Sequence, residues 1–267
     1  MGGGVYNGFQ FAATNCTIGY NYAIGGGTPP WSNPGAITAG IAIGGGIFNS
    51  ANATFTGMNL TIATNSCNSP AGSDCVSGFA TGWEIANTNG TLQLHNSIIA
   101  YSGTNANSYG VITDVGYNIC SDASADLSSG LSYNNTDPEL EPFGNYGGPT
   151  WCAALQPSSP AIESGDTAGA PATDQRGYLR PAGVAPDVGA FEYGAVPPLQ
   201  LVLAATSPTT FQLSFATKTA GCYRLQSSSN LIIWTDVCTN GPFSCVTNVS
   251  LSVAKQGLDA CYFRVVQ

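Results

Sequence analysis

The sequence predicts an all-β chain: a solenoid of short, stacked parallel strands followed by a small antiparallel β-sandwich. Three observations predict it. A unit recurs, as Gly4-Val5-Tyr6-Asn7, Gly46-Ile47-Phe48-Asn49 and Glu84-Ile85-Ala86-Asn87, each followed by a second short element: Asn15-Cys16-Thr17-Ile18, Asn59-Leu60-Thr61-Ile62 and Asn96-Ser97-Ile98-Ile99. Within a unit, apolar residues alternate with small polar ones, as in Phe55-Thr56-Gly57-Met58-Asn59-Leu60-Thr61-Ile62, which is the period of a strand. Strands of three to six residues are separated by Gly, Asn and Ser turns, and no helical spacing intervenes. A repeat that cannot bury its own apolar face does so by stacking on its neighbours.

In such a stack each strand pairs with its counterpart one repeat along. Val5, Ile47 and Ile85 should form one inward ladder, and Ile18, Ile62 and Ile99 another. Asn7, Asn49 and Asn87 should form an Asn ladder at a turn. The units lie 42 and 38 residues apart, which is long for one coil. The excess falls in Thr28–Pro34 with the apolar stretch after it, and in Cys67 to Trp83. These are expected to be loops standing out from the stack, the alternative being coils of their own.

Charge is scarce and unevenly placed. The 267 residues carry 15 acids, 6 Lys and Arg, and one His, for a net charge of -9. Residues 1–73 have no charged side chain, and the first cation is Arg176. A nucleic-acid surface needs Lys or Arg to displace counterions, a phosphate loop needs its Lys, and a polybasic membrane patch needs a cluster of either cation; two-thirds of the chain has neither. No apolar run approaches the roughly 20 residues that span a bilayer, so neither nucleic acid nor membrane insertion is expected. Neutral Asn, Thr and Ser suit a stack, because a charge repeated at one ladder position would sit about 4.8 Å from its copy. Nine Cys in a chain so poor in Lys and Glu suggest an oxidising compartment. No signal peptide precedes Gly2-Gly3-Gly4, which suggests a piece of a longer secreted protein.

The segments Gly3-Gly4-Val5-Tyr6-Asn7 and Thr14-Asn15-Cys16-Thr17-Ile18 resemble the repeats of bacterial right-handed parallel β-helix surface proteins. Asn145-Tyr146-Gly147-Gly148-Pro149-Thr150, Leu155–Ile162, Asp174-Gln175-Arg176-Gly177-Tyr178-Leu179-Arg180-Pro181 and Asp187-Val188-Gly189-Ala190-Phe191-Glu192 are similar to the choice-of-anchor Q domain, with Glu163 standing where that family usually has Asp. The resemblance implies a secreted or surface-anchored bacterial protein with a pectin-lyase-like fold, and no particular reaction. The organisation is then 1–142 as right-handed parallel β-helix coils with inserted loops, 143–193 as the closing segment, 194–198 as a linker, and 199–267 as a disulfide-stapled β-sandwich.

Six strand-like runs mark the last domain: Leu199–Ala204, Thr210–Phe215, Cys222–Gln226, Leu231–Trp234, Cys245–Val253 and Cys261–Val266. Its four cysteines allow three connectivities. The signatures Cys-Tyr-Arg and Cys-Tyr-Phe-Arg favour Cys222–Cys261, which leaves Cys238–Cys245 to close a hairpin around Asn240-Gly241. In the coils, Cys67 and Cys75 bracket a short loop, and Cys120 can reach Cys152. Cys16 is left as a buried thiol acting as a small hydrophobe.

A fold of this kind hosts enzymes, but fold alone confers no activity. A lyase needs a base beside its acids, and the coils have no Lys or Arg. A glycosidase needs two carboxylates at a set separation; Asp114, Asp122 and Asp126 are the candidate acids. Asp122-Ala-Ser-Ala-Asp126 has the alternating oxygens of a Ca²⁺ loop without its Gly and distal Glu; with Asp137 and Glu139 it is the candidate metal site. Asp174, Arg176, Arg180 and Asp187 read as a structural ion cluster closing the solenoid. Trp31, Trp83, Tyr101 and Tyr109, with Tyr20 and Tyr22, are candidate glycan contacts. The function expected is non-catalytic: adhesion, surface display or filament building outside the cell. The alternative is a polysaccharide lyase, glycoside hydrolase or glycan-binding module. Partners would be surface glycans or further copies stacked head to tail on the uncapped N-terminal coil.

Overall fold

The computed structural model describes residues 2–26, 40–69, 80–199, 201–207, 210–216, 221–243, 248–254 and 262–266. The chain divides into two compact units, Met1–Pro197 and Pro198–Gln267, and is all-β.

The first unit stacks its repeats as parallel layers. The first comprises β1 (Val5–Asn7), β2 (Gln10–Gly19) and β3 (Tyr22–Ile24). The second comprises β4 (Ala42–Ile43), β5 (Ile47–Asn49), β6 (Thr54–Ala63) and β7 (Ser66–Asn68). The third comprises β8 (Ala80–Thr81), β9 (Ile85–Asn87), β10 (Thr91–His95) and β11 (Ile98–Ala100), and the last β12 (Ser108–Tyr109), β13 (Thr113–Gly116) and β14 (Ile119–Cys120). One sheet runs β1-β5-β9-β12 and a curled second runs β13-β10-β6-β11-β14 with β2 on β6; β3 pairs β7 and β4 pairs β8. Thus the ends of both insertions do form short layers. Residues 27–39, with Trp31, and 70–79, with Cys75, lie outside the described residues.

The apolar ladders follow the sequence. Val5 aligns with Ile47 and Ile47 with Ile85; Ile18 aligns with Ile62 and Ile62 with Ile99. Ile47, Ile62, Ile85 and Ile99 are fully buried with Phe55, Leu60, Leu92 and Leu94, each such side chain contributing about 1.5–3 kcal/mol. The Asn ladder forms too: Asn7 Nδ2 donates to Asn49 Oδ1 (2.7 Å) and Asn49 Nδ2 to Asn87 Oδ1 (2.9 Å).

The ten-residue β2 and β6 exceed the three to six residues expected. Each bends at an Asn in the left-handed region, where the pairing skips one position and resumes in register, Thr14 on Met58 and then Cys16 on Leu60: Asn15 has φ 52° and Asn59 φ 49°, and Asn96 repeats the bend in the third layer at 50°. Asn tolerates that conformation because its short polar side chain bonds locally. A second bend repeats at Tyr20, Thr64 and Tyr101, with φ of 57°, 62° and 71°.

A buried polar column lines a third turn. Asn21 Nδ2 donates to Asn65 Oδ1 (2.9 Å), and Asn65 donates through Nδ2 to Glu84 Oε2 (2.5 Å) and through its backbone N–H to Oε1 (3.0 Å). Gly46 makes room: a Cβ there would meet Glu84 O at 2.6 Å and Asn65 Nδ2 at 2.8 Å.

Segment 143–193 was expected to close the solenoid. Instead it runs along the flank at the Asn bends of three layers. Asn15 Nδ2 donates to Thr173 O (2.6 Å), Asn59 Nδ2 to Gly189 O (3.2 Å) and Asn96 Nδ2 to Asp166 O (3.1 Å), while Ala190 N–H donates to Thr61 Oγ1 (3.0 Å). The far end of the stack is covered by chain that follows β14: Cys120 N–H donates to Tyr133 O and Thr136 N–H to Cys120 O. On the first layer, Phe11 is 42% exposed where its ladder partner Phe55 is buried.

Three of the four expected disulfides do not form. Cys67, Cys120, Cys152 and Cys222 are free thiols, which removes Cys67–Cys75, Cys120–Cys152 and Cys222–Cys261; Cys245 lies outside the described residues. The reason is packing. Cys120 continues the Ile62–Ile99 ladder, Cys67 packs with Ala23 and Ala42, and Cys152 packs with Ile98 and Phe191 in a second cluster. Burial pushes all three thiols up to about 11. Cys16, expected to be buried, is exposed; the role assigned to it belongs to Cys120.

The second unit has two three-stranded antiparallel sheets. One is β15 (Val202–Ser207), β16 (Thr210–Ala216), β19 (Asn248–Ala254); the other is β18 (Thr235–Phe243), β17 (Gly221–Ser228), β20 (Tyr262–Val266). Leu231–Trp234, read as a strand, is a loop: Ser228 Oγ accepts from Leu231 N–H (2.9 Å), and Asn230 Oδ1 accepts from the N–H groups of Ile232 and Ile233 (both 2.9 Å). Asn240-Gly241, read as a hairpin turn, lies within β18.

Candidate functional site

The candidate acids are dispersed: Asp114 stands on β13, Asp122 and Asp126 on the turn that follows β14, and Asp137 and Glu139 farther along the chain. Asp114 accepts from Gly116 N–H (3.0 Å), Asn118 Nδ2 (2.7 Å), Ser132 Oγ (2.8 Å), Ser128 N–H (3.0 Å) and Ser129 N–H (2.7 Å). Burial opposes its ionisation, but those bonds outweigh it and hold the carboxyl below its ordinary range. Asp122 accepts from Asn107 N–H (2.9 Å), Ser124 N–H (2.9 Å) and Oγ (2.6 Å), and Cys120 Sγ (3.2 Å). It too is lowered against the effect of burial. Asp126 is exposed. Asp137 accepts from Tyr101 Oη and from Glu139 N–H, and Glu139 accepts from Ser158 Oγ. Among the described residues no group of three or more His, Cys, Asp or Glu is disposed to hold a metal ion, so Asp122, Asp126, Asp137 and Glu139 are not brought together as a Ca²⁺ cage.

The ion cluster is assembled, with a member the sequence reading left out. Arg176 bonds Asp174 Oδ2 through Nε (2.8 Å) and Nη2 (2.7 Å), donates from Nη2 to Glu192 O (2.7 Å), and lies 3.6 Å from the Phe191 ring centroid. Arg180 meets Glu192 Oε2 at 3.4 Å and donates to Asp187 O (2.7 Å) and Gly189 O (3.1 Å). Asp187 uses its carboxylate on the N–H groups of Glu163 (2.8 Å) and Tyr193 (2.5 Å). Asp174, Arg180, Asp187 and Glu192 are buried. Burial pushes Asp187 up to about 6 and Arg180 down. These groups fold segment 143–193 on itself and present no free charge to a ligand.

Glu84 is also fully buried, and burial raises its carboxyl to about 8 against the opposing Asn65 bonds. It faces the Asn column, away from any opening to solvent.

The aromatic candidates separate. Trp83 packs against the Cys67 cluster. Tyr109 stands on β12, aligned with Ala86. Tyr101 meets Tyr20 at a cleft of about 370 Å³, walled by the second bend and by residues 140–156. Tyr101 Oη donates to Asp137 and accepts from Leu140 N–H (3.0 Å), and burial with that Asp137 bond pushes the phenol up to about 12. Phe143 sits 5.6 Å from the Tyr20 ring and 6.0 Å from Trp151. Glu141 and Gln156 supply polar groups. Phe143 and Trp151 were missed because nothing local marks them; Phe143 reaches Tyr20 at the bend, and Trp151 reaches Phe143, when 140–155 folds back as an antiparallel pair, Leu140 against Leu155 and Gly144 against Cys152.

In comparisons with known proteins, no family model, no curated protein and no solved structure matches the chain. The finding that stands is an all-β fold with a curled, largely parallel-strand core.

Proposed function

We propose that this chain is an extracellular right-handed parallel β-helix with a choice-of-anchor-Q-like segment and a C-terminal β-sandwich, and that it works by surface contact, as an adhesion or display protein, without catalysis. The observation that supports this is how the acids are used. Asp114 and Asp122 direct both carboxylate oxygens at N–H and O–H groups of their own and neighbouring segments. A general acid or base must present a titratable oxygen to the substrate within hydrogen-bond reach. The test is to incubate the protein with insoluble polysaccharides and cell walls, and to measure both cosedimentation and the release of reducing or unsaturated sugar. Cosedimentation without product is expected. Product formation that disappears in Asp114→Asn or Asp122→Asn would overturn the reading in favour of an enzyme.

A further inference from the structure

We infer that the cleft between the Tyr20/Thr64/Tyr101 bend and residues 140–156 is a binding site for an uncharged saccharide. The inference gives the contact function above a place and a ligand class, and rests on it.

Shape comes first. The cleft holds about 370 Å³, within the roughly 300–1,000 Å³ usual for small-molecule sites. Its walls are fixed before any ligand arrives. Tyr101 is tethered at its hydroxyl to Asp137 and Leu140. The opposite wall is pinned by Gly144 and Cys152 exchanging two backbone bonds (both 3.0 Å) and by Glu141 N–H donating to Ala154 O (2.8 Å). Preorganised walls lower the ordering cost of binding.

Chemistry comes next. Tyr20, 61% exposed, lines the cleft with Phe143, and Trp151, 60% exposed, lies beyond the lining at 6.0 Å from the Phe143 ring, so three rings form a row that leads out of the cleft. The negative face of an aromatic ring attracts the weakly positive C–H face of a sugar. Glu141 accepts from hydroxyls, while Gln156 both donates and accepts. Rings beside hydroxyl-matching groups fit a molecule with one apolar face and a polar perimeter.

Charge selects among saccharides. The chain has no Lys or Arg before Arg176, and that guanidinium is engaged by Asp174, Glu192 O and Tyr146 O. Glu141 lines the cleft, and Asp137 and Glu139 lie next to its Tyr101 and Leu140. A uronate or sulfated sugar would meet carboxylates and no counter-charge, so discrimination against acidic glycans is expected.

The experiment is titration calorimetry with neutral gluco-, manno-, xylo- and galacto-oligosaccharides and, as the anionic arm, oligogalacturonates. At least one neutral class should bind and the oligogalacturonates should not. Tyr20→Ala and Trp151→Ala, both at exposed positions, should each weaken neutral binding by about tenfold or more. Phe9→Ala, an exposed aromatic on the first layer, should leave it unchanged. Equal binding of oligogalacturonate, no neutral binding, or neutral binding that survives both cleft variants overturns the inference. If the cleft variants still cosediment with cell walls, only the cleft assignment fails; if the wild-type chain cosediments with nothing, the contact function fails with it.

Discussion

Glu84 should make this protein less stable as pH rises through neutrality. The carboxyl is fully buried, and its pKa in the folded chain is about 8 against a reference of 4.5. A raised folded pKa means that the native state holds the proton more tightly than the unfolded chain does. The stabilisation is therefore complete below pH 4.5 and is lost as pH climbs to 8. At 1.36 kcal/mol per pH unit, that separation corresponds to about 5 kcal/mol, an order-of-magnitude figure. Glu84→Gln keeps the shape, cannot ionise, and still offers an acceptor to Asn65. The assay is urea denaturation of both proteins at pH 5, 6, 7, 8 and 9. Self-repulsion among the other acids adds a slope to both, so the readout is the difference between them. The variant should match the wild type near pH 5 and exceed it by a few kcal/mol at pH 9. A difference that stays constant across the range would refute a buried, protonated Glu84.

Three further outcomes are expected. Asn49→Ala removes four ladder bonds, to Asn7, Asn87, Ala53 and Thr91, and at about 1 kcal/mol net per bond should cost roughly 2–4 kcal/mol in urea denaturation. Ile62→Ala empties the middle of the Ile18–Ile62–Ile99 ladder and should cost roughly 2–5 kcal/mol; a loss under about 1 kcal/mol would mean the ladder is not a packed core. Because Cys67, Cys120, Cys152, Cys16 and Cys222 are free, dithiothreitol should leave the melting temperature of the 1–197 unit unchanged. Native labelling followed by mass spectrometry should modify Cys16 and Cys222 while sparing the other three until unfolding.

The ladders were legible because their information is local and repeated. A residue at one place in the unit names its partner one unit along, as Asn7, Asn49 and Asn87 show. What was illegible depends on contacts with no local counterpart. Asn15, Asn59 and Asn96 were visible as a repeated position, yet what they bind lies far along the chain, at Thr173, Gly189 and Asp166. Spacing suggested that Cys120 and Cys152 could meet, but spacing does not say which way a side chain faces. Cys120 faces the first core cluster and Cys152 the second. The apolar run Leu231–Trp234 has strand composition, but the side chains of Ser228 and Asn230 capture its N–H groups and turn it into a loop. In the candidate site, Tyr20 and Tyr101 could be singled out, whereas Phe143 and Trp151 needed the fold-back of 140–155.

The strap along the Asn bends has a consequence for how this protein can evolve. An open array of repeats gains or loses a copy at little cost, because each unit touches only its neighbours. Here the three Asn anchors advance by one layer, about 4.8 Å, while the carbonyls that receive them sit at set positions in a segment locked by Arg176 and Arg180. Inserting or deleting a layer among these three would shift the anchors on one side of the change past their acceptors and leave their amides unpaired. The strap is thus a ruler that fixes copy number, and change in length should be tolerated between the bends, in the loops, and not in the count of layers.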